Sequence, residues 1–343
     1  METKVSMRDI ARELGVSIVA VSKALTGREG VSEALREKIK YKAKEMGYIY
    51  NSLPKSMLTG RKYQIGILIA SHFLGEFAFY WLVFMQLLES FKSTEYFALL
   101  EIVNEEAEKK CLLPALVRAN KVDGLIVLGQ FSEDYLNFVT QKMPACLFLD
   151  FNSSAGSCDR VVSNNFDGAY NLTKLLLEAG HKRIAFIGTT SATTSILDRF
   201  MGYSKALLEA GFPPLPPIPD RDEKHQGYHA SEIDLRIGEE AGCTAYVCNN
   251  DQLAGTVIRY FKQRGIRIPD DISLAGFDNN DIETTEGIGI TSLAPDIESM
   301  CSIAVSNLIT RIEDPGYRSR GQIFVNGRIV SKESIAPPKG GDA

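Results

Sequence analysis

The sequence has few of the residues that build metal centres, disulfide frameworks or membrane spans. It contains four histidines and six cysteines, and no two cysteines form a C-x-x-C pair. That pattern predicts reduced thiols in a protein core instead of a zinc site or a disulfide scaffold. The most apolar stretch, residues 79–88, is far shorter than the roughly 20 residues of a transmembrane helix. The chain is charged from Glu2 onward, unlike a secretion signal, so we expect a cytoplasmic protein without a membrane segment.

Catalytic and nucleotide-binding motifs are also missing from the sequence. It has neither a Walker phosphate loop nor a G-x-G-x-x-G motif. His225 and His229 are four residues apart, as zinc ligands can be, but the glutamate of H-E-x-x-H is absent. Asp220 and Asp222 begin like a calcium loop, yet His225 stands at the sixth position, where glycine is required. We therefore expect neither an enzyme nor a protein with a metal or cofactor.

Charge is unevenly distributed along the chain. Residues 1–62 contain 13 Lys and Arg against 7 Asp and Glu, a charge of +6, whereas the whole chain has −5, which leaves −11 for residues 63–343. Some of the basic residues, notably in residues 38–44, fit an ordinary solvated helix face. A small basic part on a larger acidic body indicates that the N-terminal part alone meets a polyanion.

Residues 6–25 carry the pattern of two short helices joined by a turn. Ser6 and Asp9 have the spacing of a helix N-terminus, and Gly15 supplies the backbone freedom that a sharp turn needs. Ser17 can cap a second helix, and both helices repeat apolar residues at helical spacing. These apolar residues are Ile10, Ala11, Leu14, Ala20, Val21, Ala24 and Leu25. The pattern fits a DNA-binding helix-turn-helix, and an ordinary αα-hairpin fits it as well.

A third helix, capped by Ser32 and ending near Gly47, would close a small three-helix core. Several short motifs follow one another through this part of the chain. They are Val16-Ser17, Val21-Ser22-Lys23, Leu25, Gly27, Val31-Ser32, Met46-Gly47-Tyr48 and Asn51. In this order and spacing they resemble the N-terminal head of the lactose/galactose repressor (LacI/GalR) family. The chain departs from the family where Ala20 replaces a threonine and Lys23 an arginine.

The resemblance implies that the second helix enters the major groove of a pseudo-palindromic DNA operator bound by a homodimer. Ile18 and Val19 occupy the two positions that reach base edges in the family. These apolar side chains cannot hydrogen-bond a base, although they can press on a thymine methyl group. The implied DNA-binding residues are Ser6, Met7, Ser17, Ile18, Val19, Ser22, Lys23, Ser32, Asn51, Lys55 and Met57.

Residues 51–62 are the expected hinge between the head (residues 1–50) and the body (residues 63–343). A helix of seven or eight residues is marginal alone, since about 12–15 residues are needed even for good sequences. We therefore expect the hinge to be helical only when it packs against its twin over DNA. The resemblance places Met57 where an apolar side chain wedges into the minor groove. The alternative is that Met57 is a linker residue packed on a core.

The body alternates short apolar runs with helical patterns. The predicted strands are 65–70, 97–103, 124–129, 146–151, 184–188, 246–248 and 273–277, and the pattern indicates an α/β body with doubly wound parallel sheets. Residues 212–219, with five prolines, predict an extended loop. The motifs Asp198-Arg199, Asn249-Asn250-Asp251 and Gly276-Phe277-Asp278 continue the family resemblance, which implies a two-lobed, periplasmic-binding-protein-like body. Lobe one would comprise residues 63–160 and 291–320, and lobe two residues 161–290 and 321–335.

Polar residues follow almost every predicted strand. Since ligands of such sheets bind beyond the carboxyl ends of the strands, these residues suit a ligand rich in hydroxyl groups. The resemblance implies Arg199 and Asp251 as the main effector contacts, with Asp150 and Asp278 beside them. Tyr80 belongs to a group of helix aromatics that would stack on a ring of the ligand, although core packing explains it equally well.

Together these observations predict a transcriptional regulator, by default a repressor, whose operator affinity is switched by a sugar or sugar derivative. An activator or a corepressor-dependent regulator would use the same parts. A sugar-transport binding protein would share the body but requires export. A sugar-processing enzyme fused to the head would need acid/base groups in the cleft, and the sequence shows none.

Overall fold

The computed structural model describes residues 5–25, 29–48, 56, 59–221, 233–280 and 287–339. The chain separates into two compact units, residues 1–62 and 63–343. The second unit begins at residue 63, which is also the residue where the body was expected to begin. Of the residues named above, Asn51, Lys55 and Met57 lie outside the described part, as do His225 and His229.

The described residues of the N-terminal unit form three helices, α1 (Met7–Leu14), α2 (Ile18–Leu25) and α3 (Glu33–Glu45). Ile10, Val21 and Ile39, one from each helix, are completely buried against one another. Burying an aliphatic side chain of this size stabilises a fold by about 1.5–3 kcal/mol, so these contacts hold the small core together. The predicted helix-turn-helix and its third helix are therefore present.

The helix ends form as the sequence indicates. The backbone N–H of Ser6 donates to Oδ2 of Asp9 over 2.9 Å, and Gly15 adopts a left-handed φ of 62° after α1. The Oγ of Ser17 accepts the N–H of Ala20 at 3.1 Å, which caps α2. Arg36 of α3 donates to the carbonyl of Ala24 at 3.3 Å, so the third helix also satisfies the end of the second.

The body contains two sheets. The first has the order β10-β5-β4-β3-β1-β2 and is wholly parallel, and the second has the order β11-β9-β8-β7-β6, with β11 antiparallel to β9. The strands are β1 (Gln64–Ala70), β2 (Phe97–Val103), β3 (Gly124–Leu128), β4 (Cys146–Leu149), β5 (Asp159–Ser163), β6 (Ile184–Ile187), β7 (Ala245–Cys248), β8 (Ser273–Phe277), β9 (Thr291–Ala294), β10 (Gln322–Val325) and β11 (Arg328–Val330).

Helices cover both sheets, which explains why the central strands are continuous apolar runs. All five residues of β3 and all four of β4 are buried. The helices of the body are α4 (Phe77–Phe91), α5 (Glu105–Lys109), α6 (Ala115–Arg118), α7 (Glu133–Lys142), α8 (Asn165–Glu178), α9 (Thr194–Glu209), α10 (Arg236–Glu240), α11 (Asp251–Lys262) and α12 (Ile297–Glu313). A 3-10 helix, Ser71–Glu76, precedes α4.

The chain passes between the lobes later than the sequence predicts. β5 and β10 belong to the first sheet and β9 to the second, so the crossings fall at residues 163–165, 294–297 and 325–328. The expected crossings near Arg160, Thr291 and Arg320 are therefore wrong by three to eight residues. Side-chain hydrogen bonds hold two of the expected crossing points within their lobes: Asp159 accepts the N–H of Arg320 at 2.7 Å, and Ser334 accepts the N–H of Thr291 at 2.8 Å.

The remaining predictions about the body agree with the structure in most respects. All seven predicted strands are present, and the proline-rich stretch runs extended beside β6, where Ile218 pairs with Ile187. β5, β9, β10 and β11 lie outside the seven predicted strands, because they are short and carry polar or exposed residues. All six cysteines are free, and five of them are buried. Within the described ranges, every helix falls short of the length and apolar character that a membrane crossing requires.

Candidate functional site

A cavity lies between the two lobes, at the carboxyl ends of the central strands. Its empty volume is about 650 Å³, which includes the space at its open mouth. Lobe one contributes Phe73, Phe79, Tyr80, Gln130, Asp150 and Phe151. Lobe two contributes Arg199, Arg221, Asn249, Asn250, Gln252 and Asp278. One wall is therefore mainly aromatic and the opposite wall mainly polar.

Arg199 of α9 is the central cation of the polar wall. Its Nε donates to Oδ1 of Asn165 at 2.8 Å, and its Nη1 donates to the carbonyl of Asn249 at 2.6 Å. Its guanidinium carbon lies 3.7 Å from the ring centre of Phe277. Because these contacts fix the side chain before any ligand arrives, the guanidinium is preorganised to bind ligand oxygens.

Two carboxylates at the ends of strands line the same cavity as this arginine. Oδ1 of Asp278 is 3.9 Å from Nη2 of Arg199, and Asp150 is buried in the opposite lobe. Burial raises the pKa of Asp278 above its ordinary value, and the charge of Arg199 opposes that rise. Both aspartates have positive φ angles, 71° for Asp150 and 95° for Asp278. Such backbone strain concentrates at functional sites, which supports both predicted residues.

Asp251 does not line the cavity, contrary to the prediction that it contacts the ligand directly. Its carboxylate accepts the hydroxyl of Ser292 at 2.8 Å and the backbone N–H of Asn280 at 2.8 Å. Burial, followed by the nearby charge of Asp278, raises its pKa well above the usual range. The preceding residue, Asn250, caps α11 and does line the cavity. Successive side chains project in different directions around a helix start, and one position separates the two roles.

Arg221 is a cavity residue that the sequence did not reveal. Its guanidinium forms a bidentate ion pair with Asp220, at 3.3 Å for each hydrogen bond, and both side chains are buried. The backbone N–H of Thr189 donates to the same carboxylate at 2.7 Å. Asp220 is also the first residue of the stretch that begins like a calcium loop but lacks the glycine at its sixth position. A polar pair following a proline-rich strand was the available signal, but only the fold shows that it faces the cleft.

The aromatic wall comes from lobe one. Tyr80 lines the cavity, as the resemblance implied, and its ring centre lies 4.9 Å from that of Phe73. Trp81, the next residue on α4, is 46% exposed and lies outside the cavity lining. A flat apolar ring face opposite a polar wall suits a cyclic ligand with hydroxyl groups at its edge.

Three hydrogen bonds join the lobes across the mouth of the cavity. The N–H of Thr194 donates to Oε1 of Gln130 at 2.9 Å, and Oγ1 of Thr194 accepts the N–H of Asn152 at 3.2 Å. The hydroxyl of Ser195 donates to the carbonyl of Asp150 at 3.3 Å. The N-terminus of α9 is thus the element through which lobe two contacts lobe one at this site.

The head presents the predicted DNA-facing residues on its surface. Ile18 and Val19 of α2 are 43% and 64% exposed, although both are aliphatic. Ser6, Ser17 and Ser32 are exposed at the starts of the three helices, and Met7, Ser22 and Lys23 are half-buried. Two adjacent exposed aliphatic side chains on a short helix are consistent with the predicted contact surface of α2.

Both units are similar to known proteins. Residues 6–51 match the bacterial regulatory proteins of the lacI family, and residues 173–335 match a periplasmic binding protein-like domain. The chain is 28% identical over 324 residues to the HTH-type transcriptional regulator RegA of Clostridium saccharobutylicum, covering 91% of this chain and 95% of RegA. It is 25% identical over 338 residues to the HTH-type transcriptional repressor PurR of Aliivibrio fischeri, covering 96% and 98%.

The fold is also similar to a solved structure of the lac repressor dimer bound to operator and the anti-inducer ONPF. The TM-score is 0.71 at 20% identity, and the match covers 97% of this chain and 100% of that one. The shared fold therefore extends over both the helical head and the two-lobed body.

Proposed function

The chain belongs to the lacI family of bacterial regulatory proteins, and we propose that it is a DNA-binding transcriptional repressor controlled by a small polar effector. The observation that carries the proposal is the joining, in one chain, of an exposed recognition helix to an inter-lobe cavity with a preorganised arginine. Its relatives are named as regulators, so we propose binding without turnover. Since DNA is the partner, we place the protein in the cytoplasm.

In the proposed complex, α2 enters the major groove of each operator half-site. Ile18 and Val19 press on thymine methyl groups, and Ser22 and Lys23 reach neighbouring base edges or phosphates. Met7, Ser17 and Asn51 belong to the same surface, while Ser6, Ser32 and Lys55 contact phosphate or sugar. Met57 opens the central minor groove. Exchanging Met57→Gly should weaken specific binding more than non-specific binding, and an equal loss of both would refute the wedge.

The cavity chemistry favours a sugar or a sugar derivative as effector. Tyr80 supplies an aromatic face, while Arg199, Asn250 and Asp278 supply fixed donors and acceptors for hydroxyl groups. Asp150 adds an acceptor from the other lobe. Asp251 supports the site indirectly, by holding Asn280 and Ser292 in place.

We propose that two chains pair through lobe one. Helix α4 and the edge strand β2 expose a set of large apolar side chains that a second copy would cover. They are Trp81, Leu82, Met85, Phe97, Leu100 and Ile102. Sedimentation equilibrium should give a dimer at micromolar concentration, and Leu100→Asp should shift it towards the monomer.

Effector binding would act by changing the separation of the two first lobes in the dimer. Because short hinge helices are marginal, a coupling free energy of about 1–3 kcal/mol is enough to form or melt them. The decisive experiment selects operator sequences from a random duplex library with the full chain, then measures DNA affinity by fluorescence anisotropy with added sugars. A repressor released by its inducer loses affinity, whereas a corepressor-dependent regulator gains it. Binding of no specific sequence would refute the proposal.

A further inference from the structure

A second cavity adjoins the effector cavity on the lobe-one side. Its empty volume is about 360 Å³, and it shares Phe73, Gln130 and Thr193 with the lining of the first. The two cavities are therefore neighbouring compartments separated by the side chains that they share. A ligand that passes this partition would contact both.

The second compartment contains a buried nitrogen that lacks a partner. Nδ1 of His72 has no hydrogen-bond partner among the described residues. The imidazole lies against Phe73, with ring centres 4.3 Å apart, and interacts with the backbone of Gln130. Burial lowers the pKa of His72, so the ring is neutral at physiological pH and can accept or donate one hydrogen bond. A buried polar atom without a partner is costly, and a ligand group would remove that cost.

A carboxylate faces the same compartment. Glu108 is only 7% exposed, and its Oε1 accepts the backbone N–H of Ser132 at 2.7 Å. Its second oxygen has no protein donor in the described part of the chain. A carboxylate oxygen without a protein donor can accept a ligand hydroxyl group, and its charge repels an anion. Two side chains are too few for a metal site, and the described residues hold no cluster of three possible metal ligands.

We infer that this compartment is a subsite for a second, uncharged sugar ring, so that the effector is a disaccharide instead of a monosaccharide or a sugar phosphate. The inference rests on the proposed function, because it takes the first ring to occupy the main cavity. The second ring would stack beside Phe73, with hydroxyl groups bonded to Nδ1 of His72 and to Glu108. Gln130, which lies between the compartments, would contact the linkage.

The test is calorimetric titration of the full chain with common monosaccharides, the disaccharides built from them, and the matching sugar phosphates. At least one disaccharide should bind ten-fold or more tightly than either of its component sugars, and the phosphates should bind no better than the free sugars. His72→Phe, which keeps a flat ring but removes both nitrogens, should abolish most of that difference. His72→Asn, whose amide can replace Nδ1, should restore it.

The outcomes separate this inference from the proposed function. Arg199→Ala should abolish binding of monosaccharides and disaccharides alike, because it acts in the main cavity. Equal affinity for both ligand sizes in the wild-type chain would overturn the subsite alone. Binding of no sugar would overturn both the subsite and the saccharide effector. If His72→Phe fails to fold in a thermal unfolding assay, Glu108→Gln provides the second variant, and an unchanged disaccharide preference in it would also overturn the subsite.

Discussion

Replacing Arg199 with methionine should damage both the stability of lobe two and the response to effector. The substitution keeps a long side chain but removes the hydrogen bonds to Asn165 and Asn249. It also removes the positive charge of the guanidinium that lies near the carboxylate of Asp278. Breaking a buried charge interaction from one side costs about 3–5 kcal/mol, because the other group stays buried without its partner. We expect the free energy of unfolding to fall by this amount at pH 7.5, and we expect effector binding to be lost.

The loss should depend on pH in a defined direction. Burial already raises the pKa of Asp278, and removing the opposing charge of Arg199 raises it further. A carboxyl group with a raised pKa in the folded state favours folding when protonated, and this contribution disappears as pH rises through that pKa. The difference in unfolding free energy between wild type and Arg199→Met should therefore be larger at pH 8 than at pH 5. Adding Asp278→Asn should remove the pH-dependent part and leave the loss of hydrogen bonds.

Urea unfolding of the full chain, followed by circular dichroism at both pH values, measures these effects. Arg264→Met is the matched control, because Arg264 also stacks on an aromatic ring, 3.6 Å from the centre of Tyr260, but is exposed. The control should change stability by less than about 0.5 kcal/mol, as surface substitutions usually do. An Arg199→Met deficit equal to that of the control, or a deficit that shrinks as pH rises, would refute the reasoning.

Three further predictions concern the head and the cavity. Val19→Ala should weaken operator binding without changing thermal stability, since Val19 is 64% exposed. Val21→Ala should lower the free energy of unfolding by about 2 kcal/mol, because the side chain of Val21 is buried. Equal melting temperatures of the two variants would contradict this prediction. Asn250→Ala should weaken effector binding at least ten-fold in calorimetry and Asp251→Asn far less, and the reverse order would restore Asp251 as a ligand contact. Ser6→Ala should lower the melting temperature of the head, because Asp9 loses the hydrogen bond that the Ser6 hydroxyl donates over 2.6 Å. That bond lowers the pKa of Asp9, so its stabilisation should be lost as pH falls through that pKa, and a pH-independent difference would argue against it.

Helix α2 shows that the features predicted correctly are those that depend on nearby residues in the sequence. Its start at Ser17, its end near Leu25 and its buried residues Val21 and Ala24 follow from spacing and capping, which depend on residues within a few positions. The same holds for the central strands, whose apolar runs are continuous because helices cover both faces of each sheet. The edge strands β10 and β11 were missed, since their hydrogen bonds come from residues far away in sequence.

The effector site divides in the same way. Arg199, Tyr80, Asp150 and Asp278 were expected from a resemblance carried by short motifs, and the fold brings all four to one cavity. Asp251 was misassigned, because a motif gives the position of a residue but not the direction of its side chain. Arg221 was unrecognised for the related reason that its neighbours in the cavity are distant in the chain.

The sequence by itself determined the helix-turn-helix, the alternation of strands and helices, the reduced cysteines and the division of charge between head and body. Each of these depends on composition or on contacts between residues close in the chain. Only the tertiary structure decided where the chain crosses between lobes, which polar residues face the cleft, and that a second compartment with His72 and Glu108 adjoins it. Those features depend on which distant segments pack together, and burial and hydrogen bonding across such segments leave no periodic signal in the sequence.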